Sequence, residues 1–475
     1  MPEAETRMSP EPSTAAKSER NLRLLISAGE ASGDLHGGSL LAALRRLTAP
    51  EALECFGMGG ERLRANGCDT VIDAKDVAVV GLVEVVSHLP GIYRSFRRLL
   101  REIDRRRPDA AVLIDFPEFN FRLARQLHRR GIPVVYYISP QLWAWNQGRV
   151  KLVRRYVRKM LVIFPFERDF YARHEIAARF VGHPLADMFE KRDEVITDAG
   201  VPHVPPSSWA DVGQFPRSAP QASELLTGRS ISGDPLPLVT NESSAAPDPG
   251  HLFPVKIACS AETDAARIAL LPGSRRKEIQ LNLPAMIQAA RLLQQRHPGL
   301  RFCLPVASTV SRLWLEKLLR DSGAIGPLAP ELTDNAAATL TGSRAAIVAS
   351  GTATLEAALA GTPFVMVYRV APLTWLAGRW LVNVPFYCIV NLIAGRAIVP
   401  ELVQHDFTPA RVAGQIELLL PEGPERRRML QDLAGIRAKL RGESGLSASE
   451  QAAREVLEVM RGAAETTAVS LGSSN

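Results

Sequence analysis

The positions most suited to chemistry in this sequence are polar residues that directly follow apolar segments. Asp115 follows AAVLI, and Glu118 and Asn120 come soon after it in VLIDFPEFNFRLA. A carboxyl group at the end of a buried strand is partly withdrawn from water, which raises its pKa and suits it to act as a general base. Asp115 could instead cap the next helix or pair with an arginine, and the sequence leaves both interpretations open.

Two loops in the second half combine groups that suit phosphate. In IALLPGSRRKEIQLNLP, Gly273, Ser274 and Arg275 precede a predicted helix and offer amides, a hydroxyl and a guanidinium to a diphosphate. An ordinary turn carrying a surface arginine is the alternative.

The second loop lies in VASGTATLEAALAGTPFV, where Ser350, Gly351 and Thr352 follow the strand AAIVAS. We expect Thr352 to cap the helix that begins here. Glu356 lies one turn inside, where a carboxylate can accept hydrogen bonds from ribose hydroxyls. The alternative is a capped helix with an acid that the helix dipole favours.

Two segments of the first half are candidates for substrate contact. SAGEASGDLHGG contains four glycines together with Glu30, Ser32 and Asp34, but it matches neither G-x-G-x-x-G nor a P-loop. YYISPQLWAWNQGRV places Trp143 and Trp145 at a predicted strand end, where aromatic faces can stack on sugars or hold apolar chains. A tryptophan pair in the core is an equal alternative. No two histidines have metal-ligand spacing, so we predict no bound metal.

Composition and charge restrict the class of protein. The chain has 475 residues, 46% of them hydrophobic, and its five cysteines form no C-x-x-C pair, which suits a reducing cytoplasm. The formal net charge is +7. Arginines are concentrated in YRSFRRLLREIDRRRP, directly after the apolar segment VAVVGLVEVVSHLPGIY. Solvated helix faces or attraction to anionic lipid explain this pattern better than nucleic-acid binding, for which no motif is present.

The candidate residues need a scaffold, and the sequence predicts two parallel sheets. Apolar segments of strand length alternate with helical segments from residue 22 onward and again after residue 263. We therefore predict an α/β protein with two doubly wound, Rossmann-like domains whose strand ends face one cleft.

The predicted domain boundaries follow from changes in composition. We expect a disordered tail at 1–20, a first Rossmann-like domain at 21–190, and an irregular insertion rich in Pro, Ser, Ala and Gly at 191–262. A second Rossmann-like domain at 263–440 and a C-terminal helix and tail at 441–475 complete the chain. The first twenty residues lack the apolar core of a signal peptide, and no apolar segment is long enough to span a bilayer.

Nine segments in this order resemble the lipid-A-disaccharide synthase family and cover both halves from about residue 22 to 460. They are SAGEASGDLHGG, VAVVGLVEVV, VLIDFPEFNFRLA, YYISPQLWAWNQGRV, FPFERDFY, FVGHPLAD, LLPGSRRKEI, ASGTATLEAAL and VNLIAGRAIVPELVQ.

The resemblance implies a GT-B hexosyltransferase without a cofactor, in which the domain at 21–190 binds the acceptor and the domain at 263–440 binds the UDP-sugar donor. It would transfer diacylglucosamine from UDP-2,3-diacylglucosamine to 2,3-diacylglucosamine 1-phosphate (lipid X), giving UDP and the β-1,6 disaccharide of lipid A. It would work with inversion, as a peripheral protein on the cytoplasmic face of the inner membrane of a Gram-negative bacterium. A homodimer is also possible, because the apolar segment 374–395 could be an interface or core.

The resemblance also implies roles for individual residues. Asp115 matches the family's base, Arg275 the essential arginine of the Pro-Gly-Ser-Arg loop, and Asn391 an asparagine of the donor site. Glu30 matches the acid of the first glycine-rich segment. We expect that segment, with Gly29, Ser32 and Asp34, to form the acceptor side of the cleft together with Glu118, Asn120, Trp143 and Trp145.

Departures from the family pattern and two other functions remain to be weighed. Glu118 stands where the family usually has aspartate, Asn146 replaces an arginine, and the 191–262 insertion is longer than usual. A UDP-N-acetylglucosamine 2-epimerase would use the same nucleotide loops without a lipid acceptor. A membrane-associated nucleotide-binding protein would bind ligand without releasing UDP.

Overall fold

The computed structural model describes residues 21–48, 53–77, 82–189, 264–372 and 384–472, with Trp375, Leu376, Gly378 and Val382 between the last two ranges. The predicted tail at 1–20 and the predicted insertion at 191–262 therefore lie outside the described residues. The apolar segment 374–395 is described only in part.

We label thirteen strands and fourteen α-helices in the described ranges. The strands are β1 (Leu22–Ala28), β2 (Leu53–Gly59), β3 (Cys68–Asp73), β4 (Ala110–Ile114), β5 (Val134–Tyr137), β6 (Lys159–Val162), β7 (Ala178–Phe180), β8 (Asp264–Leu271), β9 (Arg301–Pro305), β10 (Glu331–Thr333), β11 (Ser343–Ala349), β12 (Phe364–Tyr368) and β13 (Glu401–Val403). The helices are α1 (Ala31–Leu47), α2 (Glu61–Ala65), α3 (Leu82–Arg106), α4 (Pro117–Arg129), α5 (Val150–Tyr156), α6 (Pro165–Arg173), α7 (Arg276–Arg296), α8 (Arg312–Asp321), α9 (Ala336–Thr341), α10 (Thr352–Leu359), α11 (Ile389–Ala394), α12 (Pro409–Glu417), α13 (Pro424–Leu440) and α14 (Ala448–Gly472).

Two parallel sheets form the two domains, which confirms the predicted fold class. The first has the order β3-β2-β1-β4-β5-β6-β7 and the second β10-β9-β8-β11-β12-β13. Central strands such as β4 and β11 are buried along their whole length because helices cover both faces of the sheet.

The order of the strands reverses at one point in each sheet. In the first sheet, β1 and β4 are hydrogen-bonded neighbours, and the chain leaves them in opposite directions across the sheet. The pair β8 and β11 has the same place in the second sheet. Ligands of doubly wound folds bind beyond the carboxyl ends of such strand pairs, because the connecting helices diverge there and leave a crevice.

The last helix returns to the first domain. Arg46 of α1 forms an ion pair with Glu450 of α14 at 3.2 Å, and Lys159 of β6 forms another with Glu455 at 2.5 Å. Val456 and Met460 are fully buried on α14. The C-terminal helix therefore covers the first sheet and links the end of the chain to its beginning.

The glycine-rich segment SAGEASGDLHGG is mostly helix rather than loop. Helix α1 begins at Ala31, so Gly33, Gly37 and Gly38 belong to its first turns. A Cβ on Gly37 would lie 3.1 Å from Ile114 Cδ1, and one on Gly38 would lie 3.1 Å from Arg62. These glycines allow α1 to pack closely on β4 and α2 instead of exposing backbone to a substrate.

Candidate active site

A cavity of about 620 Å³ lies between the carboxyl ends of the two sheets. Its first-domain side includes Glu30, Ser32, Asp115 and Trp143, and its second-domain side includes four residues that the sequence also predicted: Arg275, Ser350, Gly351 and Thr352. The two switch points explain this arrangement. Glu30 follows β1 and Asp115 follows β4, whereas Arg275 follows β8 and Ser350 follows β11.

Asp115 lies in a strained turn that its neighbours hold in place. Asp115 and Phe116 have φ values of 43° and 47°, in the left-handed region that residues with a Cβ seldom adopt. The Tyr136 hydroxyl donates a hydrogen bond to the Asp115 carbonyl at 2.7 Å, and Asn120 Nδ2 donates to the same oxygen at 2.8 Å. Such strain persists only where the surroundings enforce it, and it concentrates at functional sites.

The environment of Asp115 gives it the properties of a base. Burial raises the pKa of its carboxyl from 3.8 to about 6, and the nearby charge of Glu30 acts in the same direction. A hydrogen bond from the Phe116 amide opposes these effects. A carboxylate with this pKa is ionised at neutral pH and accepts a proton more readily than an exposed aspartate does.

Gly29 is required by the same turn. A Cβ at this position would lie 2.2 Å from Phe116 Cδ1. The close approach joins the end of β1 to the residue after Asp115, so the backbone at Gly29 fixes the turn and does not itself line the cavity.

Two other predicted acceptor-side residues support the scaffold. Asn120 is fully buried, and its Oδ1 accepts a hydrogen bond from Ser27 Oγ at 2.7 Å. Asp34 is also buried, and its carboxylate accepts hydrogen bonds from the amides of Gly60, Arg62 and Leu63 at the start of α2. Neither side chain belongs to the cavity wall.

Glu118 and Trp145 lie outside the cavity wall, near Arg149. The Glu118 carboxylate forms an ion pair with Arg149 Nη1 at 2.6 Å, and 59% of its side chain is exposed. The Arg149 guanidinium lies 6.0 Å from the Trp145 ring. The structure therefore separates Trp145 from Trp143, which does line the cavity.

The loop before α7 brings only Arg275 to the cavity wall. The amides of Ser274 and Arg275 donate to Glu278 Oε2 at 3.4 and 3.3 Å, so these donors are already engaged. The turn needs a φ of 120° at Gly273, a backbone conformation that glycine adopts without strain. The Arg275 side chain is 76% exposed and forms an ion pair with Glu278 at 3.2 Å, so it can move to an incoming anion at little cost.

At the loop before α10 the helix cap differs from our prediction. Gly351, with a φ of 134°, is the N-cap of α10, and Thr352 is the first residue of the helix. The prediction that Thr352 caps this helix was wrong. The first amides of a helix have no partner within it and carry the positive end of the helix dipole, so this end of α10 suits an anion.

Glu356 and Asn391 lie near this loop but not in the wall of the cavity. Burial raises the pKa of Glu356. Asn391 is fully buried, where its Nδ2 donates to Glu401 at 2.7 Å and its Oδ1 accepts from the amides of Ile398 and Val399. Asn391 therefore fixes the chain that follows α11, next to Ile389 and Leu392 of the cavity wall.

Several wall residues were missed by the sequence analysis. Gln141 and Phe164 lie on the first-domain side and Tyr368 on the second. Each follows or ends a strand, so the rule that located Asp115 could have found them. The second domain also contributes an apolar surface that includes Leu355, Val370, Trp375, Ile389 and Leu392.

A larger cavity, of about 1760 Å³, lies at the opposite edge of the first sheet. The loops before β4 and β5, with Pro108 and Pro133, and residues of α14 line it. None of the predicted site residues does.

In the described ranges, no three His, Cys, Asp or Glu side chains cluster so that they could hold a metal ion. No helix there is long and apolar enough to cross a membrane.

Two solved structures show that other proteins have the same fold. A UDP-N-acetylglucosamine 2-epimerase from Neisseria meningitidis, bound to UDP-GlcNAc, superposes with a TM-score of 0.52 at 10% identity over 92% of this chain and 99% of its own. A glycosyltransferase of kitacinnamycin gives a TM-score of 0.52 at 13% identity over 93% and 99% of the two chains. Two doubly wound sheets around one cleft define the GT-B fold, and this chain has it.

Sequence comparison is more specific. A family model described as lipid-A-disaccharide synthetase matches residues 24–208 and 255–456. A lipid-A-disaccharide synthase of Koribacter versatilis is 48% identical over 92% of this chain and 98% of its own, and one of Acidobacterium capsulatum is 42% identical over 92% and 96%. The chain belongs to the lipid-A-disaccharide synthase family and is a glycosyltransferase of lipid A biosynthesis.

Proposed function

We propose that this enzyme transfers diacylglucosamine from UDP-2,3-diacylglucosamine to the 6-hydroxyl of lipid X with inversion at the anomeric carbon. The observation that carries the proposal is that Asp115 and Arg275, from different domains, line one cavity. The first can accept a proton from an alcohol and the second can bind a diphosphate. Transfer of a sugar from a nucleotide to a hydroxyl needs a base at the attacking hydroxyl and a cation at the departing diphosphate.

The acceptor is activated by Asp115. With a pKa of about 6, this carboxyl is roughly 90% ionised at pH 7. As the hydroxyl oxygen of the acceptor attacks the anomeric carbon, its proton passes to the Asp115 carboxylate. The new glycosidic bond forms as the bond to the UDP oxygen breaks, and the α-linked donor gives a β-linked product.

The leaving group is stabilised from the second domain. Negative charge builds up on the UDP diphosphate as the bond to the sugar breaks, and Arg275 and the first amides of α10 face that charge. Preorganised donors of this kind usually contribute the largest part of the barrier lowering. A contact between Glu356 and the ribose stays a prediction from the sequence, because this side chain does not line the cavity.

The lipid character of the substrates is supported by two surfaces. The apolar residues of the second-domain wall, among them Leu355 and Leu392, offer a surface for acyl chains beside the nucleotide loops.

One face of α3 carries a set of exposed arginines, namely Arg94, Arg97, Arg98, Arg101 and Arg105. We infer that this face attracts the anionic surface of the inner membrane, with each arginine contributing about 1 kcal/mol near the lipid.

A UDP-release assay with both lipid substrates tests the proposal. Release that requires lipid X and yields a disaccharide supports it. Formation of the manno epimer from UDP-N-acetylglucosamine alone would favour an epimerase, and binding of UDP without turnover would favour a non-catalytic protein.

Flotation with phosphatidylglycerol vesicles tests whether the arginine face of α3 binds anionic membranes. The double variant Arg97→Glu, Arg101→Glu should bind these vesicles less than the wild type does. Neutral vesicles should bind neither protein.

A further inference from the structure

Glu167 is a buried carboxyl that the proposed mechanism does not use. It lies in the first turn of α6 and is 1% exposed. Burial raises its pKa to about 8, although hydrogen bonds from the Phe164 amide and from Trp143 act in the opposite direction. A buried carboxyl is costly unless its oxygens have partners, so the identity of those partners indicates its role.

One oxygen of Glu167 stabilises the local helix and the other reaches the cavity wall. Oε2 accepts a hydrogen bond from the Phe164 amide at 3.2 Å, which satisfies a free donor before α6. Oε1 accepts a hydrogen bond from Trp143 Nε1 at 3.2 Å, across 24 positions of the sequence. Local capping accounts for the first bond but not for the second.

The Trp143 indole is held from two directions. The indole has one N–H group, Nε1–H, and this group donates its hydrogen bond to Glu167. The ring packs edge-on against Phe166, with ring centroids 5.0 Å apart, and Phe166 stacks on Phe164 at 5.6 Å. Trp143 and Phe164 both line the cavity on the side of Asp115. The orientation of this aromatic wall therefore depends on a carboxyl group behind it.

We propose that Glu167 is a positioning residue that fixes the Trp143 indole as a binding surface for the acceptor sugar. The proposal rests on the proposed function, which places the acceptor beside Asp115. Trp143 presents its ring to the sugar, and Glu167 acts only through that ring. Above about pH 8 the Glu167 carboxylate is ionised and accepts both bonds, whereas the amide nitrogen of a glutamine would face either the Trp143 N–H or the Phe164 N–H as a second donor.

A double-mutant cycle tests the contact from both ends. UDP release is measured at about pH 9, where Glu167 is ionised, for the wild type, Glu167→Gln, Trp143→Phe and the double variant, with lipid X varied in mixed micelles at saturating donor. We expect each single variant to raise the acceptor KM about ten-fold, equivalent to about 1.4 kcal/mol. The double variant should be no worse than Trp143→Phe alone, because the two residues act through one hydrogen bond. The Kd of UDP should not change.

Arg168→Ala is the matched control. Arg168 follows Glu167 on α6 but forms an exposed ion pair with Glu443 at 3.1 Å, so its loss should leave the acceptor KM unchanged. Purely additive effects in the double variant, or an acceptor KM within two-fold of wild type in Glu167→Gln, would overturn the proposal and leave Glu167 as a helix cap. If Glu167→Gln does not fold, Trp143→Phe still removes the hydrogen bond to Glu167 while it keeps the bond to Phe164, and an unchanged acceptor KM in that variant would overturn the proposal. Absence of turnover in the wild type would instead contradict the proposed function.

Discussion

Substitution of Asp115 by asparagine should abolish most of the activity and at the same time stabilise the protein. Asparagine tolerates the left-handed backbone at this position and keeps the side-chain shape, so the turn should survive. Loss of the general base should lower kcat by about 10²- to 10⁴-fold. The Kd of UDP should stay near the wild-type value, because Asp115 belongs to the first domain and the nucleotide loops to the second.

The gain in stability follows from the raised pKa. An unfolded chain releases the Asp115 proton near pH 3.8, whereas the folded protein holds it until about pH 6. Between these values the unfolded state binds fewer protons, so the wild type loses stability as the pH rises through this window. At about 1.4 kcal/mol per pKa unit, the loss at neutral pH amounts to at most about 3 kcal/mol. The Asp115→Asn variant has no carboxyl group to titrate at this position and therefore no such loss.

The assay compares melting temperatures and turnover across pH. The Tm of Asp115→Asn should exceed that of the wild type by several degrees at pH 8, and the difference should nearly disappear at pH 4. The kcat/KM of the wild type should fall below about pH 6, and the residual activity of the variant should lack this dependence. Asp321→Asn, an exposed aspartate on α8 paired with Lys317, is the control for the chemical change itself.

Two results would refute this reasoning. A kcat within ten-fold of wild type would remove Asp115 from the role of base. A difference in Tm that is equal at pH 4 and pH 8 would show that proton uptake at Asp115 is not its origin.

Three further predictions test the rest of the site. Arg275→Ala should raise the donor KM and lower kcat, so that kcat/KM falls about 10- to 100-fold, because charged hydrogen bonds to phosphate are lost. The Arg276 side chain packs over Trp314 instead, so Arg276→Ala should leave both constants near the wild-type values in the same assay. Gly29→Ala should push Phe116 and the Asp115 turn out of place and cost about 1–3 kcal/mol in a denaturation experiment, whereas Gly91→Ala, which meets no atom within 4 Å, should not destabilise. Asp34→Ala should lower Tm because three amides lose their acceptor, yet leave the acceptor KM of the folded enzyme unchanged; a KM effect without a change in Tm would place Asp34 at the substrate.

The part of the site that could be predicted consists of residues that closely follow a central strand. Apolar segments locate strands with little ambiguity, and the residue after a central parallel strand must lie at the edge where ligands bind. Glu30, Asp115, Arg275 and Ser350 all follow such strands, and all four line the cavity. The short edge strands β10 and β13 gave no comparable signal, because only three residues contribute to the pattern of each.

The sequence could not distinguish polar residues that face the cavity from those that support it. Asp34, Asn120 and Asn391 have the residue types of a binding site, but each is buried and bonded to backbone groups of other segments. Glu167 is the opposite case, since nothing near it in the sequence indicates its bond to Trp143.

By itself, the sequence determined the alternation of strands and helices, the positions of the loops after β8 and β11 and the motifs of the family, because these depend on the local order of apolar, glycine and charged residues. Only the tertiary structure decided that the glycines after Gly29 are helical packing positions, that the last helix closes on the first domain, and which side chains meet in the cleft. The physical reason is that local patterns define surfaces that must be buried, whereas the partner that buries each surface comes from a remote part of the chain.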